Sequence, residues 1–251
     1  MKRTLLGYEI DDVSFCEAVN FAQNCIKTGK GGHVITVNPE MFEIARKDDE
    51  FSNILQGADL VLPDGVGIQL GFKIKGIKIQ RIAGIDYAKT LLELCREEGY
   101  TVGFLGAKEE VLAKMLNKLN AEMPDLKIVF AQHGYFRDDF EVMEKIIEIK
   151  PQVLLCALGA PKQEFFIHNL KKRVNSFMVG VGGSFDVWSG DIKRAPQIWQ
   201  KLGLEWLYRT LKEPKRFWKL RKRWMRPLQR KRPSGKALRT PKTVRISCSI
   251  C

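Results

Sequence analysis

Long apolar runs, histidine and the common nucleotide-binding strings are all scarce in this 251-residue sequence, and each scarcity excludes a class of protein. No apolar run approaches the roughly 20 residues that a membrane-crossing helix needs. Met1–Ile10 carries Lys2, Arg3 and Glu9 where a secretory signal would be apolar, so the expectation is a soluble, cytoplasmic chain. Histidine is limited to His33, His133 and His168, and no Asp-x-Asp occurs, which leaves a divalent-metal clamp without evident ligands. Of six cysteines only Cys248 and Cys251 have Cys-x-x-Cys spacing, with no second pair and no histidine nearby. Reduced, mostly buried thiols are the better reading than a zinc or redox site or a prenylation box. There is no Walker A string and no Gly-x-Gly-x-x-Gly, which argues against a P-loop NTPase and against a dinucleotide-dependent oxidoreductase.

What is present is ordinary globular material, 45% hydrophobic and 28% charged, enough for a sizeable core. The net charge of +13 is uneven. From Lys193 to Cys251 there are 19 Lys and Arg against Glu205 and Glu213, a net +17, whereas residues 1–192 hold 23 against 27, a net −4. Basicity belongs to the end of the chain.

Short apolar, β-branched runs recur at His33–Val37, Ala58–Leu62, Thr101–Leu105, Lys127–Ala131, Gln152–Ala157 and Phe177–Val181, each read as a buried strand. Between them lie amphipathic stretches such as Ile85–Glu98, Val111–Glu122, Phe140–Lys150 and Gln163–Lys172. This alternation predicts an α/β fold, a Rossmann-like and mainly parallel sheet flanked by helices, over residues 1–192. The strands run into loops rich in glycine, proline and polar groups, and in a parallel sheet those loops share one side, where open α/β folds bind ligands.

After residue 192 the alternation stops, and all five tryptophans lie between Trp188 and Trp224. Phe217, Leu220, Trp224 and Leu228 recur at helical spacing among Arg216, Lys219, Lys222, Arg223 and Arg226, which predicts a basic amphipathic helical appendage over 193–228 that docks on an anionic membrane surface. Residues 229–251 lack periodicity and read as a disordered basic tail.

Several residues in the loops carry chemistry, each with a structural alternative. Asp64, between Pro63 and Gly65 after an apolar strand, is placed to act as a general base or to cap a helix starting near Val66. Thr36 and Asn38 offer a hydroxyl and an amide that could orient sugar hydroxyls or start the next helix. In Gly159-Ala160-Pro161-Lys162-Gln163-Glu164, free N–H groups of a first helical turn could receive a diphosphate while Gln163 reads a base or sugar edge; a plain tight turn is the alternative there and at Gly182-Gly183. Without metal ligands, charge on a leaving diphosphate must be met by cations and N–H groups, and Arg81, Arg209, Arg216 and Arg221 are candidates against the alternative of solvated surface charge. Cys156, in an apolar strand, reads as core.

Taken in order, Thr36-Val37-Asn38-Pro39-Glu40, Leu62-Pro63-Asp64-Gly65-Val66-Gly67, Arg81-Ile82-Ala83-Gly84-Ile85-Asp86, Gly159 to Glu164, Gly180 to Asp186, and Arg194-Ala195-Pro196 with Leu202 to Arg209 resemble the WecG/TagA/CpsF glycosyltransferases of bacteria, from Gly7 to about Arg226. The resemblance implies an inverting, metal-independent and cofactor-free transferase. Its donor would be a UDP-sugar and its acceptor an undecaprenyl-diphosphate-linked N-acetylglucosamine. TagA-like members move N-acetylmannosamine to build the teichoic acid linkage unit. WecG-like members use N-acetylmannosaminuronic acid, and others build capsule or exopolysaccharide, so the donor stays open between these. By motif position the resemblance makes Asp64 the base, with Thr36 and Asn38 orienting the sugars. Arg81 and Gln163 would lie in the same cleft, Gly159, Gly182 and Gly183 on the nucleotide side, and Arg209, Arg216 and Arg221 would close over the diphosphate. It implies work at the inner face of the cytoplasmic membrane; a homo-oligomer is left open. A nucleic-acid-binding module is the competing class, suggested by the basic C-terminal 59 residues, but it leaves the six motifs unused and no nucleic acid is expected.

Overall fold

The computed structural model describes residues 1–192 together with Ala195, Pro196 and Trp199, all within the unit Met1–Tyr208. Apart from those three residues, the expected appendage 193–228 and tail 229–251, and with them Arg209, Arg216 and Arg221, lie outside the described residues. The strands are β1 (Lys2–Leu5), β2 (Tyr8–Asp11), β3 (Gly32–Val37), β4 (Leu60–Pro63), β5 (Thr101–Gly106), β6 (Lys127–Gln132), β7 (Val153–Ala157) and β8 (Phe177–Gly180). The helices are α1 (Phe15–Lys27), α2 (Pro39–Ala45), α3 (Asp49–Gln56), α4 (Val66–Ile74), α5 (Gly84–Glu98), α6 (Glu109–Glu122), α7 (Asp139–Ile149), α8 (Lys162–Lys171) and α9 (Ser184–Trp188). Among the described residues no helix is long and apolar enough to cross a membrane.

Strands β3 to β8 form one parallel sheet in the order β4-β3-β8-β7-β5-β6, the α/β architecture expected from the alternation of apolar runs. Side chains alternate across it with the period of two that a strand imposes. Leu60, Leu62, Val102, Phe104, Val153, Leu155, Phe177 and Val179 join one core with Ala18 and Ala22 of α1, Leu91 of α5 and Met115 of α6. On the other face Ile35, Val37 and Val61 pack with Phe42, Phe51 and Phe72 from α2, α3 and α4. There too Leu105, Leu154, Cys156 and Met178 pack with Ile146 of α7 and Phe166 of α8. Each such buried side chain contributes roughly 1.5–3 kcal/mol, so the two-sided covering dominates the fold's stability.

The two edges differ. The reading of Lys127–Ala131 as a buried strand needs correction: β6 is an edge strand, and of its residues Phe130 alone is buried. Strand β4 is an edge within the sheet yet buried throughout, because the β1–β2 hairpin covers it and Asp11 Oδ2 accepts the Val61 N–H at 2.8 Å. That hairpin closes a ladder position that would otherwise be open to another strand.

The parallel register puts every strand's carboxyl end on one side. The chain leaves β3 toward β4, whereas β8, on the other flank of β3, is reached from β7. Ligands of open parallel sheets bind outside these carboxyl ends, so the candidate crevice lies above the neighbouring ends of β4, β3, β8 and β7.

Candidate functional site

The candidate crevice is built from the ends of four neighbouring strands, β4, β3, β8 and β7, and the first turns of the helices that follow. Thr36, the last but one residue of β3, stands at its centre. Its Oγ1 lies 3.4 Å from the Gly180 carbonyl oxygen at the end of β8, a long contact in which the hydroxyl donates. On its other side a Cβ placed on Gly84 would come within 2.8 Å of the same oxygen, so only glycine lets α5 start against it. Asn38 caps α2, its Oδ1 accepting the Met41 N–H at 3.2 Å, with Pro39 at the first helical position. The cap alternative is thus real for Asn38, while Thr36 points toward β8.

Asp64 follows β4, and its N–H extends the ladder to the Val37 carbonyl at 2.9 Å. The cap position of α4 is Gly65, which makes no side-chain cap bond, so the alternative that Asp64 caps the helix starting at Val66 is not what forms. Its carboxylate turns instead to the N-terminus of α5: Oδ2 accepts the Gly84 N–H at 3.1 Å, and Oδ1 faces Arg81 Nη2 at 3.4 Å. The loop that carries Arg81 is itself tied down by the Ile82 N–H, which donates to the Pro63 carbonyl at 2.9 Å. The Asp64 side chain is 29% exposed and that of Arg81 19%. A carboxylate so held is fixed in place and still partly open to a ligand, the geometry that a general base requires.

The third wall is formed by the loops after β7 and β8, and Gln163 joins them. Its Oε1 accepts the N–H groups of both Gly159 and Gly182, each at 3.1 Å, while Nε2 donates to Glu164 Oε1 at 2.8 Å. Gln163 is buried, and a Cβ on Gly180 would lie 2.4 Å from its Nε2, so β8 admits only glycine at that point. The amide oxygen and one amide hydrogen are therefore engaged with the protein. Gly159 and Gly182 are held at one fixed separation, and Gly183 opens the short α9 directly after.

Sequence reasoning passed over one residue here. Glu164 is 1% exposed, and burial pushes its carboxyl up to about 7 against the pull of its bond to Gln163. Its Oε2 has no hydrogen-bond partner among the described residues. A glutamate in a first helical turn ordinarily reads as a solvated charge favourable to the helix dipole, and Lys162 beside it strengthens that reading. The signal that could have found it is Gly180, since a glycine in an otherwise Phe-Met-Val strand asks what presses on it.

The structure thus brings Thr36, Asn38, Asp64, Arg81, Gly159, Gln163, Gly182 and Gly183 to one side of one sheet. Arg209, Arg216 and Arg221 lie outside the described residues. Among the described residues no cluster of His, Cys, Asp and Glu is arranged to hold a metal ion. Cys156 lies in the core, where burial raises its thiol well above the ordinary range.

Comparison with known sequences now decides the family. The sequence model of the Glycosyl transferase WecG/TagA/CpsF family matches residues 3–225. The chain belongs to this family. A protein of Bacillus spizizenii, named N-acetylglucosaminyldiphosphoundecaprenol N-acetyl-beta-D-mannosaminyltransferase, is 38% identical over 207 residues, covering 82% of this chain and 79% of the relative. A protein of the same name from Bacillus subtilis is 38% identical over 191 residues, covering 75% and 74%. This member of the WecG/TagA/CpsF family therefore carries the motifs that fall in the described residues on the carboxyl-end side of a parallel sheet.

Proposed function

We propose that this glycosyltransferase moves N-acetylmannosamine from UDP-N-acetylmannosamine to undecaprenyl-diphosphate-linked N-acetylglucosamine, with inversion, as a step in teichoic acid linkage-unit synthesis. The observation that carries the mechanism is the carboxylate of Asp64, fixed by the Gly84 N–H and Arg81 at the candidate crevice. The names of the two Bacillus relatives support the choice of donor and acceptor.

In this reading Asp64 removes the proton from the acceptor hydroxyl as that oxygen attacks the anomeric carbon, and the bond to UDP breaks on the opposite face. Thr36 and Asn38 orient the two sugars. Arg81 faces Asp64 and also supplies positive charge near the reacting groups. Gln163 holds the Gly159 and Gly182 loops at the separation that the nucleotide needs, a positioning role in place of direct base reading. The Gly159 and Gly182 N–H groups are taken by Gln163, so the expectation that they receive the diphosphate is corrected; the leaving diphosphate is met by other backbone N–H groups of these loops and by Arg209, Arg216 and Arg221, without a metal. The basic segment 193–228 docks on the inner face of the cytoplasmic membrane, where the acceptor lipid resides.

The test is UDP release from a panel of UDP-sugars, including N-acetylmannosamine and its uronic acid, with a lipid-diphosphate-N-acetylglucosamine acceptor and EDTA present. Acceptor-dependent release with N-acetylmannosamine that survives EDTA is the expected result. Release with a different donor alone would move the enzyme to another pathway, and loss in EDTA would remove the metal-independent mechanism.

A further inference from the structure

Helix α4 is apolar on two sides. Its inner side places Ile68 and Phe72, one turn apart, in the core. Its outer side carries Leu70 and Ile74, also one turn apart, and these are 54% and 80% exposed. A surface helix ordinarily presents polar residues outward, so this ridge has a partner to explain. Leu6, in the β1–β2 turn and 69% exposed, is held beside it, because Leu5 packs on Gly71 and Lys75 Nζ donates to the Thr4 carbonyl at 3.2 Å. Lys73, Lys75 and Lys78 are exposed around these apolar groups. From Gly65 to Ile85 the chain holds those three lysines and Arg81 with no Asp or Glu, inside a 192-residue stretch of net charge −4.

We propose that this ridge faces lipid, with Leu6, Leu70 and Ile74 entering the headgroup region of an anionic bilayer while Lys73, Lys75 and Lys78 meet its phosphates. Apolar side chains ringed by lysine are the chemistry of an interfacial helix, and each lysine near an anionic surface adds about 1 kcal/mol of attraction. Two other occupants match the charge poorly. A second copy docking through the same face would set lysine against lysine, and the chain's own C-terminal segment, with its net +17, would do the same. The ridge is also continuous with the candidate site. Val66 opens α4 two residues after Asp64, and Leu70 and Ile74 follow about 6 and about 12 Å along the helix axis. An enzyme seated on this face holds its crevice beside the headgroups, where a lipid-linked diphosphate lies. That link to catalysis rests on the transferase reading; the binding surface does not.

The experiment uses the full-length chain with Cys16, Cys248 and Cys251 replaced by serine, since Cys25, Cys95 and Cys156 are buried. Ile74→Cys carries an environment-sensitive fluorophore, and Lys118→Cys on α6 serves as the control position. Phosphatidylglycerol-containing vesicles should shift the Ile74 probe to the blue and expose it to quenchers in the acyl chains, with phosphatidylcholine vesicles and the Lys118 probe giving neither change. Leu70→Ser with Ile74→Ser, in otherwise native protein, should weaken binding to the anionic vesicles at least fivefold. It should also raise KM for vesicle-borne acceptor at least fivefold, with KM for the donor and the melting temperature unchanged. A silent Ile74 probe on protein that is vesicle-bound through the rest of the chain would overturn the proposal. So would a probe shift that needs no vesicles, follows protein concentration and vanishes with the serine pair, which would make the ridge a contact between copies. A vesicle-dependent shift in protein that releases no UDP with any donor would support the lipid surface while removing the transferase reading.

Discussion

Strand β4 is flanked by two aspartates in nearly the same chemical situation, and the contrast between them shows what makes a site. Asp59 precedes the strand: its Oδ2 accepts the His33 N–H at 2.7 Å and pairs with Lys171. Asp64 follows it, accepting the Gly84 N–H at 3.1 Å and facing Arg81. Both side chains are about one-third exposed. Burial works against the charge on Asp59, but the bonds from Lys171 and His33 outweigh it and hold its carboxyl below the ordinary range. The pairs differ in where they stand. Asp59 lies at the amino end of the sheet, beside a fully buried His33 whose ring is held near a pKa of about 3 by burial, and it ties β3, β4 and α8 together. Asp64 lies at the carboxyl end, where Gly159 and Gly182 of the neighbouring loops have open space around them. A charged pair alone therefore says little; its place in the topology separates fastening from chemistry.

The largest effect should come from breaking the carboxyl-end pair at its acid. Asp64→Asn keeps an oxygen for the Gly84 N–H, so the fold should melt as before while acceptor-dependent kcat falls about 10³-fold, within the range for losing a general base. Steady-state UDP release and a thermal melt measure the two quantities. Arg81→Lys should lower kcat/KM by about 10- to 100-fold, because a lysine cannot reproduce the planar guanidinium geometry at Asp64. Gln163→Ala leaves two glycine N–H groups without their acceptor and should cost about 2 kcal/mol in urea unfolding, together with a raised KM for the donor.

A smaller and more diagnostic effect concerns Glu164. Its carboxyl titrates near 7 in the folded protein against an ordinary 4.5, so the folded state keeps a proton that the unfolded chain releases. That contribution to stability is complete below about 4.5 and is lost as the pH rises through about 7. The melting temperature of the native protein should accordingly fall more between pH 5 and pH 8 than that of Glu164→Gln, which holds no such proton. An equal fall in both would mean that the buried carboxyl does not titrate there. The smallest effect belongs to the amino-end pair: Asp59→Asn should destabilise by about 1 kcal/mol, since the pair is partly screened by solvent, and should leave kcat unchanged.

Much of the fold is legible in the sequence because the parallel strands are buried on both faces and so read as unbroken apolar runs. His33–Val37 and Gln152–Ala157 differ from the observed strands by one residue at one end. The β1–β2 hairpin is hard to read because Lys2–Leu5 has a single apolar residue and the apolar/acidic alternation of Tyr8–Asp11 lasts only four residues. Edge position is equally invisible: Lys127–Ala131 has the composition of an inner strand, and the sheet order alone exposes it. In the site, Asp64 and Thr36 are legible because they end strands. That Asp64 engages α5 in place of α4 is set by a contact twenty residues along the chain, and local capping rules have no access to it. Glu164 stays hidden for a related reason, as its burial comes from Gly180 packed across the strand end.

The most direct measurement compares Asp64→Asn with Asp59→Asn in one assay, following acceptor-dependent UDP release from UDP-N-acetylmannosamine and the melting temperature of each protein. Turnover lost by about 10³-fold in the first with its melt unchanged, beside full kcat and a lowered melt in the second, is the outcome that a catalytic carboxyl end and a structural amino end require. Retained turnover in Asp64→Asn would contradict it and move the base elsewhere in the crevice.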